Sequence, residues 1–569
     1  MIKKKYLLLL ILPLFINSQT LNLNNTYFEE ILRAAQLSGN LDSNISFTIR
    51  PLNIGSDGVK ISKEILDTEQ YFTKKYISKT NNFFIKLLPV DYKINYNSHH
   101  PYNRNNGSMI PSRGFQQLIS LGLFAKIGPL SIQLKPEHVY AENKDYDGFP
   151  ETHYPVIWER RYILWNKIDL PEKFGDTHFK KSYIGQSFIK LNFKGMALGI
   201  STENIWWGPS IRNGINMSNH AKGFNHITFN TTKPLKSKIG NFEWQFVTGR
   251  LESSGYFPPA TDKEYAGRKL YIPKINQLGE RDDWRYFQGL TFTYSPKWIN
   301  GLSLGLTRWT QMYSALVEGK YTWMVGNPTY FPLFTNLFRS NDKYENYEAQ
   351  TDQAAGVFFR WLWLDSKAEF YGEFNYNDSK QNIRDLLLDS EHSRAVTLGV
   401  HKLFNYKSTN SFIEFNWEWT QLEQNSSRMV RNAGSWYMHG NVYDGYTNRG
   451  EVIGAGIGPG SNSQYLSISK SNTKSRVKFA LEIIDQDNDF YHLAFEDSQD
   501  FRRYWKDYNF HFSVDKKFSK FWGSFNLIYN RSLNYQWELE DGPNLPYYHS
   551  GRDVNNFHVE FKLTYPIKL

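Results

Sequence analysis

Residues 411–422 read SFIEFNWEWTQL. Laid out as an extended chain, Ile413, Phe415, Trp417 and Trp419 fall on one side, and Glu414, Asn416, Glu418 and Thr420 on the other. A strict period of two marks a strand with one apolar and one polar face. In a soluble sandwich the aromatic face would meet a core and the acids would meet water. In a transmembrane barrel the aromatic face meets lipid and the acids meet a wet lumen. The pattern returns at FHVEFKLTYPIKL (557–569), where Phe557, Val559, Phe561, Leu563 and Tyr565 oppose His558, Glu560, Lys562 and Thr564. It returns again at YNFHFSVD (508–515) and AEFYGEFNY (368–376).

Connection lengths separate the two settings. Short turns occur at AKIGP (125–129), FKG (193–195), PLKSKIGN (234–241), SPKWING (295–301), LDSK (364–367), NYKSTN (405–410), KSNTK (470–474) and DKKFSK (515–520). Long segments without clear alternation lie between them, at 97–114, 142–186, 201–224, 250–285, 308–355, 377–393, 420–463, 485–506 and 530–555. Tight periplasmic turns alternating with large extracellular loops are the habit of outer-membrane barrels. Eight short turns and nine long loops predict an all-β transmembrane barrel of about 18 antiparallel strands, an even number as bacterial barrels require. A polar overall composition is no obstacle, because such barrels hide their apolar band in alternate positions.

The first residues, MIKKKYLLLLILPLFINSQT, carry a basic start at Lys3–Lys5 and an apolar run from Tyr6 to Ile16. The run is shorter than the ~20 residues a spanning helix needs, so residues 1–18 read as a secretory signal. Residues 19–80 read as a helical segment on the periplasmic side that caps or plugs the barrel of residues 81–569. In TYFEEILRAAQLSGN (26–40), Thr26 and Glu29 have capping-box spacing, Phe28, Ile31, Leu32 and Ala35 share a helical face, and Gly39 sits at a helix end. SKEILDTEQYFTKKY (62–76) is a second helical candidate, and the first strand is placed near Phe83.

With no cysteine in the chain there is no disulfide framework and no thiol for a lipid anchor. The net charge of +10 invites an anionic partner, but lysines crowd the short turns, at Lys126, Lys194, Lys236, Lys238, Lys297, Lys367, Lys474, Lys516, Lys517 and Lys520. The long loops are close to balanced, with seven basic and six acidic residues in 250–285, and nucleic acid is excluded as a partner. No H-E-x-x-H, P-loop or G-x-S-x-G motif occurs. GAGIGPGS (454–461) misses the dinucleotide fingerprint, with Pro459 or Ser461 in the third glycine position and no βαβ unit around it. His99–His100 and Asp282–Asp283 read as solvated loop pairs with diverging side chains, and Glu203 with Glu252 is a candidate carboxylate pair. No catalytic residue, metal site or cofactor is assigned.

Several tracts together resemble the Wzi family of capsule assembly proteins. NIWWGPSIRNGINMSNHAKGF (204–224) is similar to that family's Trp-Trp-Gly-Pro-Gly tract and the Leu-Ser-Asn-Asn-Ala type run after it. Trp206, Trp207, Gly208, Pro209, Ser218, Asn219 and Ala221 match, whereas Ser210 replaces a glycine and His220 an asparagine. SFTIRPLN (46–53), FEWQFVTGRLESSG (242–255), RWLWLDSKAEFYGEFNYND (360–378) and GYTNRGEVIGAGIGPGS (445–461) resemble forms found in Bacteroidota members. The resemblance implies an outer-membrane barrel of 18 strands with a periplasmic helical segment. It also implies a lectin-like, non-enzymatic role that attaches capsular or exopolysaccharide to the cell surface. Polysaccharide and outer-membrane lipid are the partners, with other polysaccharide export components as candidates.

The 201–224 tract follows the strand MALGISTE and is placed in an outward loop. Indole faces suit sugar C–H groups and amides suit hydroxyls, which makes Trp206, Trp207, Asn213, Asn216, Asn219 and His220 candidate carbohydrate ligands, with Tyr446 and Asn448 of GYTNRG. The competing reading makes the Trp-Trp-Gly-Pro corner a scaffold that folds the loop back into the barrel. A general or substrate-specific porin is the alternative function, and an outer-membrane hydrolase a more distant one.

Overall fold

A computed structural model describes residues 19–24, 26–55, 58–62, 65, 75–77, 83–273, 284–320, 322, 330–335, 350–377, 383–406, 408–424, 433–495, 501–540, 546 and 549–567. The signal, most of the second helical candidate and Asp282–Asp283 lie outside those residues. Eighteen antiparallel strands form a closed barrel. The first, Phe83–Asn97, pairs with Gly114–Ile127 on one side and with the last, Val554–Tyr565, on the other.

Two strands are each built from two pieces. Leu130–Leu134 continues as Glu137–Ala141 across Pro136, which has no N–H to give the ladder, and Phe179–Tyr183 continues as Phe188–Phe193. The turns joining Leu302–Tyr313 to its predecessor, or Ser475–Asp485 to its predecessor, span only a few residues, and the intervening connections are long. The asymmetry read from the sequence is thus present throughout.

The strand Ser408–Gln421 is oriented as its alternation demands. Glu414 and Glu418 are buried inside the lumen, while Ile413, Phe415, Trp417 and Trp419 lie on the outer wall. Outward positions on other strands carry Leu191, Leu198, Val357, Ile468, Phe479 and Phe557, all exposed. Such a belt is stable only against lipid, since monomers in water rarely expose so large a contiguous apolar patch. Beside the short turns stand exposed Phe193, Trp298, Trp363, Phe404 and Phe518, an aromatic girdle at one interface. No helix among the described residues is long and apolar enough to cross a membrane. The crossing is made by strands.

The lumen is filled from both ends. At the short-turn end a helix spans Thr26–Leu37. Its apolar side packs Phe28 and Leu32 into a core with Leu52, Phe84, Phe124 and Trp522, and Leu37 meets Leu362, Leu403 and Phe412 of the wall. Its polar side meets charged wall residues. Arg33 pairs with Glu369 at 3.0 Å, and Glu30 pairs with Arg476 and Lys478. At the other end the long loops collapse on one another. Phe149, Trp158, Trp165, Trp207, Tyr446, Phe490 and Trp537, from five of those loops, share one apolar core.

Candidate functional site: the Trp-Trp-Gly-Pro corner and the loops it holds

The tract after Met196–Ser201 starts at the long-loop end and then turns inward. Trp206–Trp207 form a two-residue strand against Ile49–Arg50, so a long connection and the N-terminal segment meet inside the barrel. The Gly208 N–H donates to the Thr48 carbonyl at 2.9 Å. Gly208 has φ +89°, and a Cβ there would stand 2.4 Å from Glu373 Oε1 on the wall. A side chain would therefore meet both backbone strain and a fixed carboxylate, which explains glycine at this corner.

The backbone carbonyls of the corner are taken up locally. Both Nη atoms of Arg33 donate to the Pro209 carbonyl at 3.0 Å. Arg50 donates to the carbonyls of Gly208 (2.7 Å) and Ser210 (2.9 Å) and pairs with Glu29 at 2.6 Å. Two wall acids accept from the backbone that follows. Glu373 accepts from the Ser210 N–H at 3.1 Å, and Glu418 accepts from the N–H groups of Ile211 (2.7 Å) and Asn213 (2.8 Å) and from the Tyr371 hydroxyl (2.8 Å). Arg212 reaches on to Glu482 at 2.6 Å. The inward-facing acids of the alternating strands are thus hydrogen-bond acceptors for a loop that fills the lumen.

All eight residues proposed from the sequence are buried. Trp207 is fully buried, and its Nε1–H donates to Gln245 Oε1 at 2.8 Å. Trp206 has the Arg50 guanidinium 4.6 Å above its ring and borders a central cavity. Asn216 donates to Asn375 (2.7 Å), accepts from Trp309 Nε1 (3.2 Å), and its carbonyl accepts from the Tyr446 hydroxyl (2.7 Å). Tyr446 stacks on Trp309 at 3.8 Å with 10° between the planes. Asn219 donates to Asn24 Oδ1 (2.9 Å) and to the Asn105 carbonyl (2.8 Å). Asn448 donates to the Lys222 carbonyl (3.1 Å) and accepts from the Glu252 N–H (3.2 Å). His220 packs against Gly456, where a Cβ would come within 2.6 Å of its ring, and burial pushes its imidazole down to about 3. Asn213 is buried beside the Glu418 anchor. The structure therefore joins the two motif loops, 202–224 and 445–461, into one hydrogen-bonded unit.

Other sequence candidates disperse. Glu203 pairs with Lys190 at 2.8 Å, whereas Glu252 pairs with Arg449, so the two acids belong to separate clusters. His99 and His100 do not diverge into solvent. Their Nδ1 atoms lie 3.2 Å apart and His100 stacks on Tyr535 at 4.8 Å, because the 534–553 connection lays a tyrosine ring across them. Burial holds His100 down at about 3. No group of three or more metal-ligating side chains occurs among the described residues.

Sequence reasoning missed Arg33 and Arg50, the cations that fasten the corner. Arg33 was visible only as a charge flanked by apolar helix positions, and Arg50 as part of the SFTIRPLN tract. Between the helix and the loops lies a cavity of about 180 Å³, bordered by Trp206, Arg104, Arg212, Asn416, Tyr465 and Asn526. It has room for on the order of ten waters.

Comparison with known proteins agrees with this architecture. The family model described as capsule assembly protein Wzi matches residues 97–522. Among solved structures, Wzi of Escherichia coli, described as a carbohydrate-binding outer-membrane β-barrel involved in group 1 capsule assembly, superposes with a TM-score of 0.59 at 11% identity. The match covers 97% of this chain and 100% of that one. Acinetobacter baumannii OccAB1 gives a TM-score of 0.38 at 8% identity over 88% of this chain and 99% of that one. Pseudomonas putida OprB gives 0.33 at 10% over 85% and 94%. Among curated protein sequences nothing matches the chain. A family model spanning most of the barrel, a shared barrel fold and the loops that carry the family tracts together make this outer-membrane barrel a member of the Wzi family of capsule assembly proteins.

Proposed function

We propose that the protein holds capsular or extracellular polysaccharide at the cell surface as a lectin-like barrel, without passing it through the lumen and without cleaving it. The observation that carries this reading is the filling of the lumen from both ends by fastened chain. The helix Thr26–Leu37 is tied to the wall through Arg33–Glu369, and the 202–224 loop through Glu373 and Glu418. Breaking a buried ion pair by removing one partner costs about 3–5 kcal/mol. Several such contacts would have to open together before a polymer could pass.

In this reading Trp206, Trp207, Asn213, Asn216, Asn219, His220, Tyr446 and Asn448 frame the loop surface that meets sugar. Trp206 is the one of them that borders the central cavity. The carbohydrate-binding description of the Escherichia coli protein supports the ligand class. Outer-membrane lipid surrounds the belt, and other polysaccharide export components are the proposed protein partners.

The test pairs two measurements on the purified full chain. Planar-bilayer recording should show little or no steady conductance, and immobilised protein should retain the producing cell's own polysaccharide. Large stable channels combined with no retention would return the protein to the porin reading.

A further inference from the structure

The outer end of the lumen contains a small cleft that the eight motif residues do not line. Lys181 and Tyr183 stand at the end of the strand Phe179–Tyr183, Lys222 follows the inward loop, Tyr256 belongs to the 251–285 connection, and Arg449 lies between the two strands of GYTNRGEV. The Lys222 Nζ sits 4.4 Å from the Tyr183 ring centroid, and the Lys181 Nζ 6.0 Å from that of Tyr256. These side chains are partly exposed, as a binding surface requires.

Arg449 is paired with Glu252. Neither Lys181 nor Lys222 has a carboxylate within ion-pair distance among the described residues. Glu451 also borders the cleft, but burial pushes its carboxyl well above the usual range against a single hydrogen bond from Asn103. The charge of Glu137 also reaches Lys222, yet its oxygens are engaged by Asn24, Ser108 and Gln186. Two ammonium groups therefore stand beside a pair of phenol rings with no carboxylate in ion-pair contact with either.

We propose that this cleft is a subsite for the carboxylate of an acidic sugar residue, with the sugar ring lying outside it against the tyrosines. The enclosed volume of about 20 Å³ admits one or two water-sized groups, which suits a carboxylate head and excludes a pyranose. A ring edge rich in C–H groups matches an aromatic face, and the flexible lysines supply charge-assisted donors. The whole-chain charge conceals this site, because most of the basic excess sits at the opposite end of the barrel. The proposal rests on the polysaccharide-holding reading and specifies the ligand's chemistry.

The test uses the full chain in detergent and calorimetric titration with a hexamer of galacturonate, with maltohexaose as the neutral counterpart and inorganic phosphate as competitor. The uronate hexamer should bind at least tenfold more tightly than maltohexaose. Lys222→Gln and Lys181→Gln should each weaken it roughly tenfold, the usual worth of a hydrogen bond to a charged group. Both glutamine variants should keep the wild-type thermal unfolding profile, so that loss of fold is told apart from loss of charge. Phosphate at equal concentration should leave the uronate in place. Equal affinity for both hexamers, unchanged binding in both glutamine variants, or displacement by equimolar phosphate would each overturn the subsite. None of those results touches polysaccharide retention by whole cells, whose failure would remove the broader reading instead.

Discussion

Truncating Trp207 should unfold the barrel's interior before it touches sugar. The indole is fully buried in the loop core, its Nε1–H satisfies Gln245, and its six-membered ring lies over Gly289 of the wall. Trp207→Ala leaves a cavity costing about 3–5 kcal/mol. It also strands a buried acceptor, worth about 1–3 kcal/mol. The sum is about 4–8 kcal/mol, comparable with the whole stability of a marginal domain. Trp207→Phe keeps part of the ring and should lose about 1–3 kcal/mol, chiefly through Gln245. The wall supplies an independent check. A Cβ on Gly289 would stand 2.6 Å from Trp207 Cη2, so Gly289→Ala overpacks the site and should cost about 1–3 kcal/mol. In the Trp207→Phe background the shorter ring vacates that space, and much of the alanine's cost should vanish, giving a coupling above ~0.5 kcal/mol. Reversible denaturant unfolding in detergent or lipid vesicles, followed by tryptophan fluorescence, measures all four corners. Additive costs would refute the packing argument. So would a Trp207→Ala protein of wild-type stability that no longer binds polysaccharide, since the ring would then be touching ligand.

Three further outcomes follow from the same structure. A cysteine at Tyr265, exposed in a long connection, should label on intact cells, and one at Lys297 beside a short turn should not; equal labelling would invert or abolish the topology. Phe415→Arg puts a cation on the lipid face at a cost of about 2–4 kcal/mol at mid-membrane, so folded, heat-modifiable protein should fall sharply, and normal assembly would mean that strand is turned over. Glu418→Gln should assemble but loosen the 211–213 backbone, because an amide cannot accept from several N–H groups as a carboxylate does; faster proteolysis within 202–224 is expected, and unchanged protection would argue against the anchor.

The barrel was legible because its evidence is local and repeated. Alternation such as Phe415–Trp417–Trp419 against Glu414–Glu418 specifies a two-faced wall, and unequal connections specify which end is which. What fills the wall was less legible. A loop's departure point can be read from the strand before it, but its destination depends on partners remote in sequence. Trp206–Trp207 meets Ile49–Arg50 more than 150 positions away, and no periodicity announces such a pairing. The same limit hid the use of Glu373 and Glu418, which looked like lumen acids facing water and instead accept backbone N–H groups. His99–His100 misled because adjacent side chains diverge on a regular strand, whereas here a tyrosine from a distant connection gathers them. The cleft of Lys181, Lys222 and Arg449 draws its charges from three segments, each close to neutral on its own.

The central claim is that this barrel keeps polysaccharide on the cell, and the most direct measurement is the division of that polymer between cells and medium. Producing cells lacking the protein should make a similar total but release a much larger share to the medium. Restoring the wild-type chain should return it to the surface. An unchanged cell-bound share in the absence of the protein would contradict the account, as would polymer accumulating inside the envelope, the result expected if the lumen were the route of export.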